Sequence, residues 1–145
     1  MKKFNPVNPG YFFSAISSNI KFDLIWATDQ SELTNVDISY IATDADFLAV
    51  EYYMDGFARG GMSLISLDDY TGQFTLTYFG SDTGDFATGS PMMWARQLTG
   101  ITRTGMHIGP VYGIYIRNSN TLTGFNYHVK PGRIYAAKII YTSDY

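Results

Sequence analysis

Alternating apolar and polar positions recur along most of this chain. Such alternation predicts β-strands, because successive side chains of a strand point to opposite faces of its sheet. Between positions 20 and 27, Ile20, Phe22, Leu24 and Trp26 are apolar, and two charged residues stand among them. This segment is predicted to form a half-buried strand with the four apolar side chains on one face. Similar patterns predict strands at residues 11–16, 36–40, 62–67, 73–79, 111–116, 122–129 and 133–141.

Turn-forming sequences separate these strands. The stretch DDYTG predicts a β-hairpin between the strands at 62–67 and 73–79, and RNSNT predicts a second hairpin between 111–116 and 122–129. Pro131-Gly132 predicts a turn before the last strand. A further segment, FLAVEYYM, is apolar on both faces except for its glutamate, as expected for a strand in the middle of a sandwich or against a partner.

The pattern as a whole predicts an all-β fold. We count eight to ten short strands and no amphipathic helix of three turns, which favours an antiparallel β-sandwich, jelly-roll-like or Ig-like, or a barrel. Residues 11–145 are predicted to form this single domain. Residues 1–10 contain two Asn-Pro steps and are predicted to form an extended N-terminal arm. Its Phe4 and Val7 either pack on a neighbouring subunit or close the bottom of their own domain.

The composition limits the classes of partner that we expect. Charged residues make up only 16% of the 145 residues, and the formal net charge at pH 7 is -3. Since Lys and Arg are not in excess, no phosphate-neutralising surface is expected and nucleic acid is not a predicted partner. A weakly charged surface is typical of proteins that neighbouring subunits cover, and also of sugar-binding surfaces.

The sequence also bears on location. It contains no cysteine, which excludes disulfides and thiolate metal sites. Lys2 and Lys3 resemble the start of a signal peptide, but Pro6 and Pro9 interrupt the apolar run that such a peptide needs. No apolar run approaches the roughly 18 residues of a membrane-spanning helix. We therefore expect a product that is made in the cytosol, is not exported by a signal peptide and has no membrane partner.

The stretch at residues 80–109 is the first place to look for a site. It holds six of the 14 glycines and is predicted to be a long connection that contains a strand near residues 94–99. It also contains residue types that are enriched at protein interfaces. The residues predicted to contact a partner here are Met92, Met93, Trp94, Arg96 and Arg103.

Catalytic and metal-binding patterns are weak. No G-x-S-x-G motif occurs, and the glycines match neither G-x-G-x-x-G nor the Walker pattern. His107 and His128 lie 21 residues apart on different predicted elements, so their spacing does not favour a metal site. The aspartate pairs at 44/46 and 82/85 are more typical of turns than of calcium ligands.

Glu51 is the carboxylate that the pattern places in an apolar strand. Burial there would raise its pKa and suit it to act as an acid. Glycoside hydrolysis needs a second carboxylate at a set separation, and the sequence marks none. We expect Glu51 to face an edge or to pair with an arginine. Catalytic, cofactor-binding and metal-binding residues are predicted to be absent.

Aromatic residues leave a sugar-binding alternative open. Trp94, Tyr112 and Tyr115 are suited to stack on sugar rings, and the side chains suited to supply hydrogen bonds are Arg96, Arg103 and Asp85. The same residue types are common at protein interfaces and in cores.

The leading functional hypothesis is a non-enzymatic structural subunit of a macromolecular assembly. In composition the chain resembles virion proteins such as phage capsid decoration, cement or tail accessory proteins, so the predicted location is the virion, after synthesis in the host cytoplasm. The predicted partners are other protein subunits, including further copies of the chain. The alternative is a carbohydrate-binding module of receptor-binding or adhesin type, and a small hydrolase acting through Glu51 and an aspartate is a third possibility.

Overall fold

A computed structural model of the chain describes residues 19–29, 33–53, 60–67, 72–81, 89–122 and 129–140. These residues form nine β-strands and no helix. In chain order the strands are β1 Ile20–Ala27, β2 Val36–Ser39, β3 Phe47–Tyr53, β4 Gly60–Ser66, β5 Gly72–Ser81, β6 Pro91–Ile101, β7 Gly105–Tyr115, β8 Thr121–Leu122 and β9 Lys130–Ile139.

The strands make two antiparallel sheets that face each other. The four-stranded sheet has the order β1-β9-β3-β4, and the five-stranded sheet has the order β2-β7-β6-β5 with β8 paired to β7. The predicted all-β sandwich with eight to ten strands is thus confirmed, and no barrel closes within the described part of the chain.

The core lies between the two sheets. Leu48 and Ile134 point into it from the four-stranded sheet, and Leu76, Leu98 and Ile108 point into it from the other sheet. Each of these side chains is fully buried, so the inward-facing apolar positions of β3, β5, β6, β7 and β9 are covered by the opposite sheet.

Several strand predictions are confirmed. Residues 20–27 form β1, and the strand that is apolar on both faces, β3, lies between β9 and β4. The hairpin around RNSNT is present as the pairing of Gly113 with Leu122. The predicted strand at residues 11–16, the arm at residues 1–10 and most of the strand predicted at residues 122–129 lie outside the described residues.

The hairpin predicted across DDYTG is wrong. The two strands that flank this stretch belong to different sheets, because β4 pairs with β3 and β5 pairs with β6. The flanking patterns predicted the two strands correctly. Their alternation does not show whether they pair with each other, because edge strands of two different sheets alternate in the same way as two strands of one hairpin.

The long connection predicted at residues 80–109 is also wrong in part. Most of its described residues belong to β6 and β7, which pair with each other as a hairpin. Buried Tyr40 secures the turn of this hairpin, since its hydroxyl donates to the carbonyl of Thr102 (2.8 Å) and contacts that of Gly105 (3.0 Å). The glycines of the stretch therefore belong largely to strands.

The turn predicted at Pro131-Gly132 is a third error. Both residues lie within β9, next to a register shift between Glu51 and Tyr52 of the neighbouring strand β3. A Cβ at Gly132 would overlap the ring of Tyr53. This glycine is thus required by close packing on a ring, which is a different cause from the turn that the sequence predicted.

Candidate functional site

An exposed apolar surface lies on the outer face of the four-stranded sheet, the face turned away from the core. The register brings Leu24 of β1, Tyr135 of β9 and Leu64 of β4 into one row across the sheet. Directly opposed residues of antiparallel strands share a face, so this row extends over all four strands. We call the surface the outer apolar face; its members are Ile20, Phe22, Leu24, Phe47, Met62, Leu64, Tyr135 and Ile139.

The exposure of this face is larger than isolated surface residues would explain. Leu24 is 56% exposed, Leu64 54% and Met62 50%, and Ile20 and Phe22 are almost as exposed. If each of these five side chains presents about half of roughly 200 Å², together they expose on the order of 500 Å² of apolar surface. A contiguous apolar patch of this size lies in the range of the largest patch on a typical monomer, and such a patch often has a function.

A β-bulge in β1 turns Trp26 away from this face. The sequence predicted that Leu24 and Trp26 share a face, and this prediction is wrong. The register shifts between them, so that Leu24 opposes Tyr135 whereas Trp26 opposes Ile134. Trp26 packs against the core, and Leu24 points outwards.

The outer apolar face has internal order. The rings of Phe22 and Tyr135 meet edge to face, with centroids 6.4 Å apart and an interplanar angle of 88°. Ala49 and Ala137 lie between larger members of the face and are buried, although neither belongs to the core cluster between the sheets. Small residues between large ones leave the apolar surface continuous across the strands.

A charged pair borders the outer apolar face. Glu51 of β3 is directly opposite Arg133 of β9, which agrees with the second of the two expectations for Glu51, an edge position or an arginine partner. A hydrogen bond with the Tyr135 hydroxyl, followed by the charges of Tyr135 and Glu51, raises the pKa of Arg133. Glu51 is therefore placed as the partner of a surface cation.

The outer face of the five-stranded sheet has a different character. Tyr112 is 63% exposed and Phe79 56% exposed. Between and around them lie exposed threonines of β5, together with Gln97, whose side-chain amide donates to Gln73 at 2.8 Å. This face combines polar side chains with two exposed aromatic rings and an apolar row of Phe79, Met93 and Ile114. Its edge carries a further contact, in which Nδ1 of His107 lies 2.7 Å from the carboxylate of Asp37.

The interface predicted for β6 is mostly in the core. The alternation of β6 turns Met92, Trp94 and Arg96 inwards, where all three are buried, and leaves Met93 half-buried on the outer face. The sequence motif was read as a surface anchor, but a strand shows only every second residue to one side. Met92, Trp94 and Arg96 are therefore not available to a partner of the folded chain.

Buried Arg96 joins three separate segments of the chain. Its Nε donates to the carbonyl of Val129 at 3.0 Å, and its Nη1 donates to the carbonyls of Leu33 (2.6 Å) and Gly109 (2.9 Å). Burial lowers the pKa of Arg96 to about 10. A guanidinium has five donors in a fixed plane, which suits it to satisfy several backbone carbonyls inside a sandwich.

Arg103, another predicted interface residue, has a comparable role nearer the surface. Its Nη1 donates to three carbonyls of the segment between β2 and β3, those of Ala42 (3.1 Å), Thr43 (3.2 Å) and Ala45 (2.7 Å). The side chain therefore fixes the conformation of this connection from the end of the β6–β7 hairpin. Phe4 and Val7, predicted for the arm, lie outside the described residues.

The predicted sugar-stacking residues are separated by the fold. Trp94 is 3% exposed, and Tyr115 packs against the core, so neither presents a free ring face. Tyr112 remains exposed on the outer face of the five-stranded sheet. Phe79, which the sequence reasoning did not select, is exposed on the same face. The available signal was the alternation of residues 73–79, which puts Phe79 on the side of Thr75 and Thr77.

Two neighbouring concave sites lie beside the segment between β2 and β3. One is a shallow depression of about 500 Å³ lined by Ile25, Ser39, Tyr40 and Ile41. The other is a cleft of about 240 Å³ lined by Asp23, Ile25, Lys138 and the segment from Ile41 to Ala45. Lys138 already donates to the carbonyl of Asp44 at 3.0 Å. The cleft is smaller than the roughly 300 Å³ at which small-molecule sites begin, and we assign it no ligand.

Metal-binding clusters are not assembled in the described ranges. No three His, Asp or Glu side chains there lie close enough together to hold a metal ion. Asp46 accepts a hydrogen bond from the backbone N–H of Ile139 at 2.8 Å, which is a structural use of the carboxylate. His128 and the aspartates at 82 and 85 lie outside the described residues.

Comparison with known proteins returned no match. No protein-family model matches the chain, and neither curated proteins nor solved structures gave a significant match. In the described part of the chain, no helix is long and apolar enough to cross a membrane.

Proposed function

We propose that the chain is a non-enzymatic structural subunit of a macromolecular assembly and that it binds a neighbouring protein through the outer apolar face. The observation that carries this proposal is the row of half-exposed apolar side chains on β1 and β4, continued through Tyr135 of β9. Burying that surface against another protein would remove on the order of 500 Å² of apolar area from water, and flat apolar surfaces suit protein partners.

The charged pair at the rim supports a specific contact. Glu51 and Arg133 carry opposite charges side by side. They would hold a docked subunit with complementary charges in one orientation. The structural use of Arg96, Arg103 and Asp46 supports the non-enzymatic part of the proposal, because these groups hold backbone in place.

A virion component is the class of assembly that we propose. The low charge, the β-rich fold and the arm predicted at residues 1–10 support this class, by composition and not by any family match. In this proposal the chain is made in the host cytoplasm and then joins the particle, with other protein subunits as its partners.

The proposal is tested by adding charge to the outer apolar face. In extracts of the cells that naturally produce the chain, we expect it to migrate in a complex well above its own 16.3 kDa. A Phe22→Lys/Leu24→Lys double variant should migrate as the free chain, whereas a Thr75→Lys/Thr77→Lys control on the other sheet should stay in the complex. If the unaltered chain migrates only as a free 16.3 kDa protein, it is not a structural subunit.

A carbohydrate-binding module is the second candidate function. The observation that favours it is the outer face of the five-stranded sheet, where Tyr112 and Phe79 are exposed among threonine and glutamine side chains. Flat rings beside amides and hydroxyls are suited to stack on sugars and to hydrogen bond their hydroxyl groups.

A glycan array separates the two candidates. Saturable sugar binding that is lost in Tyr112→Ala and kept in Leu24→Lys would favour the carbohydrate module. If no glycan on the array binds saturably, the carbohydrate-binding candidate is wrong. Trp94→Ala, a natural choice from sequence, is unsuitable because the buried indole is part of the core.

A further inference from the structure

The two neighbouring edge strands β4 and β5 contain no charged residue. Both strands are last in their sheets, and the hydroxyl of Tyr52 in β3 reaches the carbonyl of Thr77 in β5 (3.3 Å), which places the two edges on the same side. Neither strand contains Asp, Glu, Lys, Arg or Pro. On the opposite side, β1 carries Lys21 and Asp23, and the short strand β2 carries Asp37.

This asymmetry matters because edge strands bind other strands. An edge presents a row of backbone N–H and C=O groups, and natural proteins protect it with charges, prolines or shortness. By this standard β1 and β2 are protected and the β4–β5 side is not. The five-stranded sheet is partly protected on that side, since β5 has a register shift between Gly72 and Phe74, whereas β4 pairs with β3 without a shift.

β4 is therefore the most regular unprotected edge in the described part of the chain. Its seven residues alternate between the two faces of the sheet, with Met62 and Leu64 half-exposed on the outer side and Ile65 buried on the inner side. Among the described residues, β3 is its only strand partner.

We propose that β4 pairs antiparallel with β4 of a second copy of this chain, across a two-fold axis at Ser63. The inference rests on the proposed function, since it names one neighbour in the assembly. It joins two four-stranded sheets into one of eight strands. The outer apolar faces of the two copies become continuous and stay accessible to the rest of the assembly.

The register follows from the strand itself. Ser63 is the central residue of Gly60–Ser66, so pairing Ser63 with Ser63 is the register in which every residue of β4 has a partner. In this register Met62 opposes Leu64 on the outer face, and Gly61 opposes Ile65 on the inner face. Apolar residues then meet apolar residues, and the large inner side chain meets a glycine. Shifting by one residue would oppose outer to inner side chains.

A second copy is favoured over an unrelated strand because β4 is complementary to itself. Antiparallel pairing across a two-fold axis needs one strand that satisfies its own pattern in reverse. β4 meets this condition at all seven positions, with no charge that would face a like charge in the partner. Within β4, Met62 and Leu64 provide the apolar contact that backbone pairing alone does not supply.

The absence of cysteine from the chain makes the register directly testable. The experiment uses the full chain with single cysteines and mild oxidation. Ser63→Cys should form a covalent dimer, because the two sulfurs lie opposite each other within disulfide reach. Met62→Cys and Leu64→Cys should each cross-link poorly alone and efficiently when mixed, since residue 62 opposes residue 64 of the partner. Lys21→Cys on β1 is the matched edge control and should form no covalent dimer.

Sedimentation of the same full-length protein gives the second measurement. The unaltered chain should dimerise with concentration, and Leu64→Lys should weaken the dimer by about tenfold or more. Circular dichroism of Leu64→Lys controls for folding, because a half-exposed residue should tolerate lysine.

The outcomes separate this inference from the proposed function. A monomer at all concentrations without Ser63→Cys cross-links overturns the inference, while migration of the native chain in a large complex would keep the proposed function. A dimer that cross-links through Lys21→Cys also overturns the inference, because the copies then meet at β1. If only a chain lacking residues 1–16 dimerises, that segment occupies β4 and the inference is again wrong.

Discussion

Leu24 and Trp26 stand two positions apart in β1, yet they lie on opposite faces of the sheet. The register shift between them places Leu24 opposite Tyr135 and Trp26 opposite Ile134, and these two residues of β9 are consecutive. A regular strand would have put both side chains on the same face. The bulge therefore assigns Trp26 to the core and Leu24, with Ile20 and Phe22, to the surface that we propose as an interface.

This division predicts opposite results for two substitutions in one strand. Leu24→Lys should change the free energy of unfolding by no more than about 0.5 kcal/mol, because the leucine is exposed. Trp26→Ala should lower it by about 2–4 kcal/mol, because the indole packs against the core. Urea unfolding at a concentration where both proteins are monomeric measures the difference. A strongly destabilised Leu24→Lys would show that Leu24 belongs to a packed core.

Arg96 should be required for stability although it contacts no ligand. Arg96→Met leaves the carbonyls of Val129, Leu33 and Gly109 without this donor in the interior, and we expect a loss of about 3 kcal/mol or more. Arg96→Lys keeps a cation and some of the hydrogen bonds, so this variant should lose less free energy of unfolding than Arg96→Met. Arg117→Met, at an exposed position in the β7–β8 turn, is the matched control. Equal stability of Arg96→Met and the unaltered protein would contradict the role assigned to this side chain.

Tyr40 should make the fold sensitive to alkaline pH. Burial raises the pKa of its phenol well above the ordinary value of about 10. The folded state therefore holds a proton that the unfolded state releases, and the stability that Tyr40 contributes is fully present below about pH 10 and is lost as the pH rises further. The slope from one such group approaches about 1.4 kcal/mol per pH unit.

The measurement is urea unfolding of the unaltered protein and of Tyr40→Phe at pH 8 to 11. The variant should be less stable at pH 8, because it loses the hydrogen bonds to the β6–β7 turn. The difference in free energy of unfolding between the two proteins should become smaller above pH 10. Arg96 acts with the opposite sign, since its lowered pKa favours the folded state as the pH rises through about 10, but it is present in both proteins. A gap that does not change with pH would contradict the prediction.

Arg103 should control the order of the connection between β2 and β3. Arg103→Ala removes three hydrogen bonds to carbonyls of residues 42–45, so amides in that segment should exchange at least about tenfold faster. Hydrogen exchange followed by mass spectrometry reports on this segment and on β9 as an internal reference. The free energy of global unfolding should fall by only about 1–2 kcal/mol. Uniformly faster exchange across both sheets would instead indicate a global role.

Much of the fold could be predicted from the sequence, and the candidate surface could not. The alternation in residues 20–27 and 73–79 predicted strands because a two-residue period is a local property of the chain. The hairpin across DDYTG was wrong because a turn sequence does not specify whether the next strand joins the same sheet. The choice depends on which apolar faces remain to be covered.

The sequence by itself determined that the chain forms an antiparallel β-structure with a substantial apolar core and a weakly charged surface. Only the tertiary structure decided that Trp94 and Arg96 are buried and that Leu24, Met62 and Leu64 are exposed. The physical reason is that an apolar residue in a strand needs cover on its own side, and the sequence does not state which side has it. That depends on the bulge at Leu24, on the strand order, and on the face that the second sheet occupies.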